Sequence, residues 1–141
     1  MILTLPDLYP YVLLLSIAIL FHCYLIGFLV AQPMRRKVFN KQWLTSVFME
    51  THLTQIKGAK DVPDQGYPDM GEGFYARSLS YKNWFELNLA IRVHQNYLEQ
   101  LTVVCVFILV AGLKHPRYTL IAGGAYLVGR ILHQVGYSRS V

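Results

Sequence analysis

At 141 residues the chain has room for one domain. It is 54% hydrophobic and 15% charged with a net charge of +5, and its apolar residues come in blocks rather than at the surface-facing period of a soluble core, which points to a polytopic membrane protein. There is no interleaving of basic and aromatic residues and no phosphate-cradling glycine loop, so nucleic acid is not an expected partner; the basic residues between the blocks suit anionic lipid headgroups instead.

In chain order, MILTLPDLYPYVLLL lacks the positive start and the small-residue cleavage site of a signal peptide, and it is expected to be a retained signal-anchor. The first span is Tyr11–Ala31, between Pro10 in the first turn and Pro33 as a stop. It rises about 31 Å, the thickness of a hydrocarbon core. Arg35, Arg36, Lys37 and Lys41 follow, which places that end in the cytoplasm, or in the matrix of a mitochondrion. Residues 33–82 read as a polar loop. Within it, Lys41–Lys57 forms an interfacial or packed helix, and GAKDVPDQGYPDMGEGFYARS is rich in turn residues. The second span covers 84–113, with Asn83 as N-cap. It is longer than the membrane core, so its uninterrupted apolar part must be extended by residues that include Asn96 and Glu99. Lys114-His-Pro-Arg117 is a basic turn. The third span covers 118–136, where Gly123, Gly124, Ala125 and Gly129 offer a face for close helix approach. The whole is an all-α, antiparallel transmembrane bundle in a single membrane domain, 1–141.

Two polar stripes lie on these helices. At about 100° per residue, Asn88, Arg92, Gln95, Asn96 and Glu99 share one narrow face of the second span. Tyr126, Arg130, His133 and Tyr137 share one face of the third. A short turn joins the two helices, so they are antiparallel neighbours and their stripes converge. Each ionisable group near a span centre costs about 2.5–3.5 kcal/mol on insertion scales, so the stripes must face protein, water or a polar ligand. One outcome is purely structural, with Arg92 paired to Glu99 and Asn96 bridging helices. The other is an amino-acid-like anion: arginine grips a carboxylate, glutamate an ammonium, and Asn and Tyr add directional hydrogen bonds. Cys23 and Cys105 sit deep in apolar blocks without metal-ligand spacing and read as small buried hydrophobes. His22 reads as a core histidine. Nothing in the spacing requires a haem between it and His94 or His133, and no metal site is expected.

The run Arg92-Val-His94-Gln-Asn96-Tyr-Leu-Glu99 resembles the R-x-H-Q-N-x-L-E signature of the MAPEG family, the membrane-associated proteins of eicosanoid and glutathione metabolism. Tyr67-Pro-Asp-Met70 resembles the Y-P-x-M loop of its microsomal glutathione transferase 3 type. His115-Pro-Arg117 is similar to the H-P-R turn, and Val128-Gly-Arg130 with Gly136-Tyr137 to the third helix. The resemblance implies a bundle of four transmembrane helices per subunit, a homotrimer, and glutathione bound as cosubstrate between subunits. Arg92, His94, Asn96, Glu99 and Tyr137 would form that binding site, with Arg35 or Arg36 as a less certain contributor; the catalytic residue is unknown. The implied chemistry is a glutathione thiolate attacking a lipophilic electrophile or reducing a lipid hydroperoxide, in the endoplasmic reticulum or a mitochondrial membrane. An arginine beside the sulfur would favour the anion. On this reading three spans stand instead of four, without the arginine that some members place just past the tyrosine. The alternative is a non-catalytic accessory subunit of a larger membrane assembly, such as a mitochondrial respiratory complex.

Overall fold

The structure, a computed structural model, describes residues 4–139, and all regular structure among them is helical. The first helix outruns its apolar block. α1 (Tyr9–Ile26) passes through a π-helical turn (Gly27–Ala31) into α2 (Gln32–Val38). Pro33 was expected to stop it and does not. Proline lacks an N–H and crowds the carbonyl four residues back, and the wider turn directly before it makes room. α3 (Lys41–Gln55) follows, then two 3₁₀ turns (Asp64–Gly66 and Ala76–Ser78), α4 (Tyr81–Gly112) and α5 (Pro116–Arg139). α4 starts earlier than expected because Ser80, not Asn83, caps it: the Asn83 N–H donates to Ser80 Oγ at 3.4 Å.

Tyr9–Val38 and Tyr81–Gly112 are each long and apolar enough to cross a membrane. α5, expected as a third span, has the length, about 36 Å for its 24 residues. It falls outside that pair, and Arg130, His133 and Gln134 are the residues that lower its hydropathy.

The chain forms two compact units. One joins the residues up to Gly27 with those from Val93 onward; the other is Phe28–Arg92. In the first, Val12, Ser16, Ile19, Cys23 and Ile26 recur every three or four positions along the buried face of α1. Val93, Tyr97, Cys105 and Ile108 of α4 are buried with them, as are Thr119 and Arg130 of α5. The Tyr9 hydroxyl donates to the Leu109 carbonyl at 3.3 Å, so the start of α1 lies beside the end of α4. The outward residues include Leu14, Ile17, Phe21, Phe107, Val110, Ile121 and Leu132, all exposed, whereas Arg130 is only 7% exposed. Apolar outside and polar inside is the pattern of a unit whose solvent is lipid. Two of the close glycine contacts of this unit join α1 to the end of α4 and to α5. A Cβ on Gly112 would lie 2.7 Å from Val12 Cγ1, and one on Gly123 would lie 2.6 Å from Leu15 Cδ2. The expected glycine face is otherwise unused within the chain: Gly124 and Gly129 meet open space.

The second unit corrects the expectation of a polar loop over 33–82. Val38, Phe39, Leu44, Phe48, Val62, Tyr75, Ala76 and Leu87 form a buried core. Aromatic rings close it, with Phe48 edge-on to Tyr75 at 4.7 Å and Trp43 edge-on to Phe48 at 5.5 Å. These residues come from helix ends and turns, so no single period announces them. Asn40 caps α3 by accepting from the Trp43 N–H at 2.9 Å. Lys41 ties α3 to the following loop through Asp61 at 2.5 Å and the Val62 carbonyl at 3.0 Å. Gly66 has φ +68°, and a Cβ there would stand 2.7 Å from the Phe39 ring.

Two glycine substitutions separate packing from helix propensity. Gly112→Ala drives a methyl into the stiff, fully buried Val12 and is expected to destabilise by about 1–3 kcal/mol. Gly124→Ala meets nothing and is expected to be neutral or to stabilise by up to about 1 kcal/mol. Thermal unfolding of the two variants in one detergent measures the difference.

Candidate functional site

α4 is unbroken from Tyr81 to Gly112, so the helical phase read from the sequence holds along it. Arg92, Gln95 and Glu99 are exposed, and Asn88 and Asn96 are half-buried. Neither Arg92 nor Glu99 enters an ion pair among the described residues. The pairing of Arg92 with Glu99 offered by the structural reading is therefore not made. Two charges of opposite sign stand open on one helix face.

Asn96 is used differently. Its Oδ1 accepts from Arg130 Nη1 at 2.9 Å, so the two polar stripes meet at this pair. The Arg130 guanidinium also lies over the Tyr97 ring, 4.1 Å from its centroid. Tyr97 is fully buried, and its hydroxyl is 3.3 Å from both the Ile19 carbonyl, to which it donates, and His22 Nδ1. Tyr97 lies outside the stripe of Asn88, Arg92, Gln95, Asn96 and Glu99, yet it is the centre of this polar cluster. The available signal was chemical: a tyrosine hydroxyl buried in a span needs a partner, and His22 was among the polar side chains of the first span able to supply it. His22 is thus a core histidine, as expected. His94 is half-buried with its ring against Gly27, where an added Cβ would be 2.7 Å from Nε2. His133 stacks on Tyr137 at 4.8 Å, and Tyr137 is 40% exposed. Tyr126 Oη, Arg130 Nε and His133 Nδ1 are buried on α5 without a hydrogen-bond partner among the described residues. Both cysteines are buried free thiols, and the described residues contain no cluster of metal-ligating side chains.

In the other unit the four residues Tyr67–Met70 surround Arg35, which is 4% exposed. Its guanidinium lies 3.8 Å from the centroid of the Tyr67 ring, donates to the Asp69 carbonyl and approaches Met70 Sδ at 3.9 Å. The Asp69 side chain turns inward. Oδ1 accepts from the Gly71 and Gly73 N–H groups at 2.7 and 2.9 Å, and Oδ2 from Ala76 at 2.8 Å. Burial pushes the Asp69 carboxyl up, but the N–H groups of Ala76, Gly71, Gly73 and Tyr75 outweigh it and hold the group below the usual carboxylate range. Asn88 joins α4 to this loop by donating to the Gly71 carbonyl at 2.9 Å. Arg35 is therefore committed to the loop. Arg36 is exposed and, among the described residues, bonds its helix neighbour Gln32 at 3.4 Å.

A match to the MAPEG family runs over residues 10–141. The chain belongs to the MAPEG family. No solved structure matches it. Family membership and the apolar exterior agree on a membrane-embedded helical protein. Within this MAPEG chain an arginine does follow the tyrosine of the motif. Arg139 stands two residues after Tyr137, in the last turn of α5.

Asp69→Ala would leave three backbone N–H groups unsatisfied, each costing about 1–3 kcal/mol when buried. Hydrogen exchange over residues 58–80 is expected to rise sharply while exchange in α1 and α5 is unchanged. The pH dependence follows from the lowered carboxyl. Its contribution is complete above the unfolded value of about 3.9. It is lost as pH falls through the lower folded value. Protection of the loop should therefore persist at pH 5 and collapse only in stronger acid, as the same exchange measurement against pH will read.

Proposed function

We propose that this MAPEG protein binds glutathione along α4 and uses it as a transferase or peroxidase toward lipophilic electrophiles or lipid hydroperoxides. The observation that carries the reading is the open pair, Arg92 and Glu99, exposed on one helix face with no ion-pair partner among the described residues. Such charges in or beside hydrocarbon are costly unless something meets them. Glutathione has the complementary groups. A carboxylate suits the planar fork of Arg92, and the γ-glutamyl ammonium suits Glu99. Asn96 retains its side-chain NH₂ as a donor, because Arg130 occupies only its oxygen. Tyr137 and Arg139 are the residues from α5 nearest in kind to a thiol-activating pair. A guanidinium beside the sulfur favours thiolate over thiol. The thiolate would then attack an electrophilic carbon, displacing its leaving group or adding to it with uptake of a proton from water, or attack the outer oxygen of a hydroperoxide, releasing the alcohol and leaving a glutathione sulfenic acid that a second glutathione converts to the disulfide and water. A homotrimer would supply the second wall of the site.

A second reading keeps the chain as a non-catalytic subunit of a larger membrane assembly. One observation favours it: Asn96, central to the signature, is already engaged by Arg130 within the chain.

Calorimetry of the protein in lipid nanodiscs decides between them. Glutathione is expected to bind, and Arg92→Ala and Glu99→Ala to weaken it more than tenfold each, since a charged hydrogen bond is worth about 1.5–3 kcal/mol. Both side chains are exposed, so folding should be unaffected. Arg139→Ala is expected to retain binding and lose most turnover of a model electrophile. No heat with wild type, together with migration among foreign subunits on a native gel, would favour the second reading.

A further inference from the structure

The Phe28–Arg92 unit contains a pocket unconnected with the Arg92–Glu99 stripe. Phe48, Thr51, His52, Gln55 and Ile56 form one wall. Their spacing of three and four places them on a single face of α3. Pro68, Asp69, Gly73, Phe74 and Tyr75 of the loop complete the lining. The volume is 430 Å³, within the range of about 300–1,000 Å³ typical of small-ligand pockets.

Three features identify the occupant. Asp69 is the only acidic side chain in the lining, and both its oxygens are spent on backbone N–H groups, so the pocket presents no free anionic group. Its rim is apolar and uncovered: Phe74 is 66% exposed, Ile56 52%, and Met70, beside it in the loop, 62%. Exposed apolar side chains clustered outside a span are placed where a bilayer can meet them. Finally, α3 begins at Lys41, directly after the basic end of a membrane-crossing helix that closes at Val38 with Arg36 and Lys37 exposed. Such a basic end lies at headgroup depth, and the pocket follows within one helix of it.

We infer that this pocket holds the acyl tail of a bilayer phospholipid, turned out of the bilayer into the space between α3 and the Tyr67–Tyr75 loop. The apolar walls take the methylenes. Thr51, His52 and Gln55 supply polar groups where the ester and headgroup would emerge. The bound lipid would complete the core of this unit, which the aromatic rings leave open on that side.

The test uses full-length protein in nanodiscs that contain a phosphatidylcholine with a diazirine near the methyl end of one chain. In an undisturbed bilayer that end samples the membrane centre, so it reaches the α3–loop pocket only if the tail bends into it. After irradiation, peptide mapping is expected to find adducts in residues 48–56 and 68–75 as well as in the spans. Thr51→Trp, which fills the pocket, should reduce the pocket adducts at least fivefold and leave those in α1 and α4 unchanged. Gln55→Trp serves the same purpose if the first variant does not fold. Labelling confined to the spans in wild type overturns the inference, as does pocket labelling that both tryptophans leave intact. Glutathione binding is not involved, so the outcome is independent of the proposed activity.

Discussion

The inward turn of Asp69 is the constraint on which the Phe28–Arg92 unit depends. Its carboxylate gathers the N–H groups of Gly71, Gly73 and Ala76, while its own carbonyl holds Arg35. Arg35 in turn is pinned against Tyr67. A chain segment dense in Gly, Pro and Asp, which would otherwise wander, is thereby fixed to the end of a long helix. The adjacent residues Tyr75 and Ala76 are delivered to the core as a result. The geometry is exacting: a side chain on Gly73 would put Cβ 2.7 Å from the Asp69 carboxyl carbon. The same arrangement removes Arg35 from the list of ligand-binding cations, because its guanidinium is held by the loop and is nearly fully buried.

The other unit solves the opposite problem. Its exterior is largely apolar, so the polar side chains that turn inward have to find one another there. They do so around Tyr97, which carries His22 at its hydroxyl and Arg130 on its face, with Asn96 closing the far side of the guanidinium. Surrounding an aromatic ring with a cation spreads the charge over a polarisable surface and lowers the cost of keeping arginine out of water. Arg130 therefore links the two helices that the sequence motif treats separately.

How much of this was legible in the sequence depends on whether a single helix carried the signal. The long apolar runs gave α1 and α4, and the three- and four-residue spacing gave the face of Arg92, Asn96 and Glu99, because both are properties of one helix with one period. The meeting of the two polar stripes also followed, from the shortness of the turn between α4 and α5. The second unit did not. Phe39, Phe48, Val62, Tyr75 and Leu87 come from five different places in the chain, and no local pattern links them. Basic residues after a span ordinarily meet headgroups, so nothing local distinguished Arg35, which is swallowed by a loop, from Arg36, which is not. Pro33 misled for a related reason: its effect depends on the turn before it, and a π turn absorbed it.

The contact between Gly27 and His94 has a consequence for how the signature itself should vary. The imidazole occupies the space a side chain at position 27 would need, since an added Cβ would stand 2.7 Å from Nε2. The two positions are therefore one volume shared between two helices. Related sequences that carry alanine or larger at position 27 should carry a smaller residue than histidine at position 94, and those that keep the histidine should keep the glycine. The histidine of the motif would then be inherited as half of a steric pair, whether or not any ligand ever touches it.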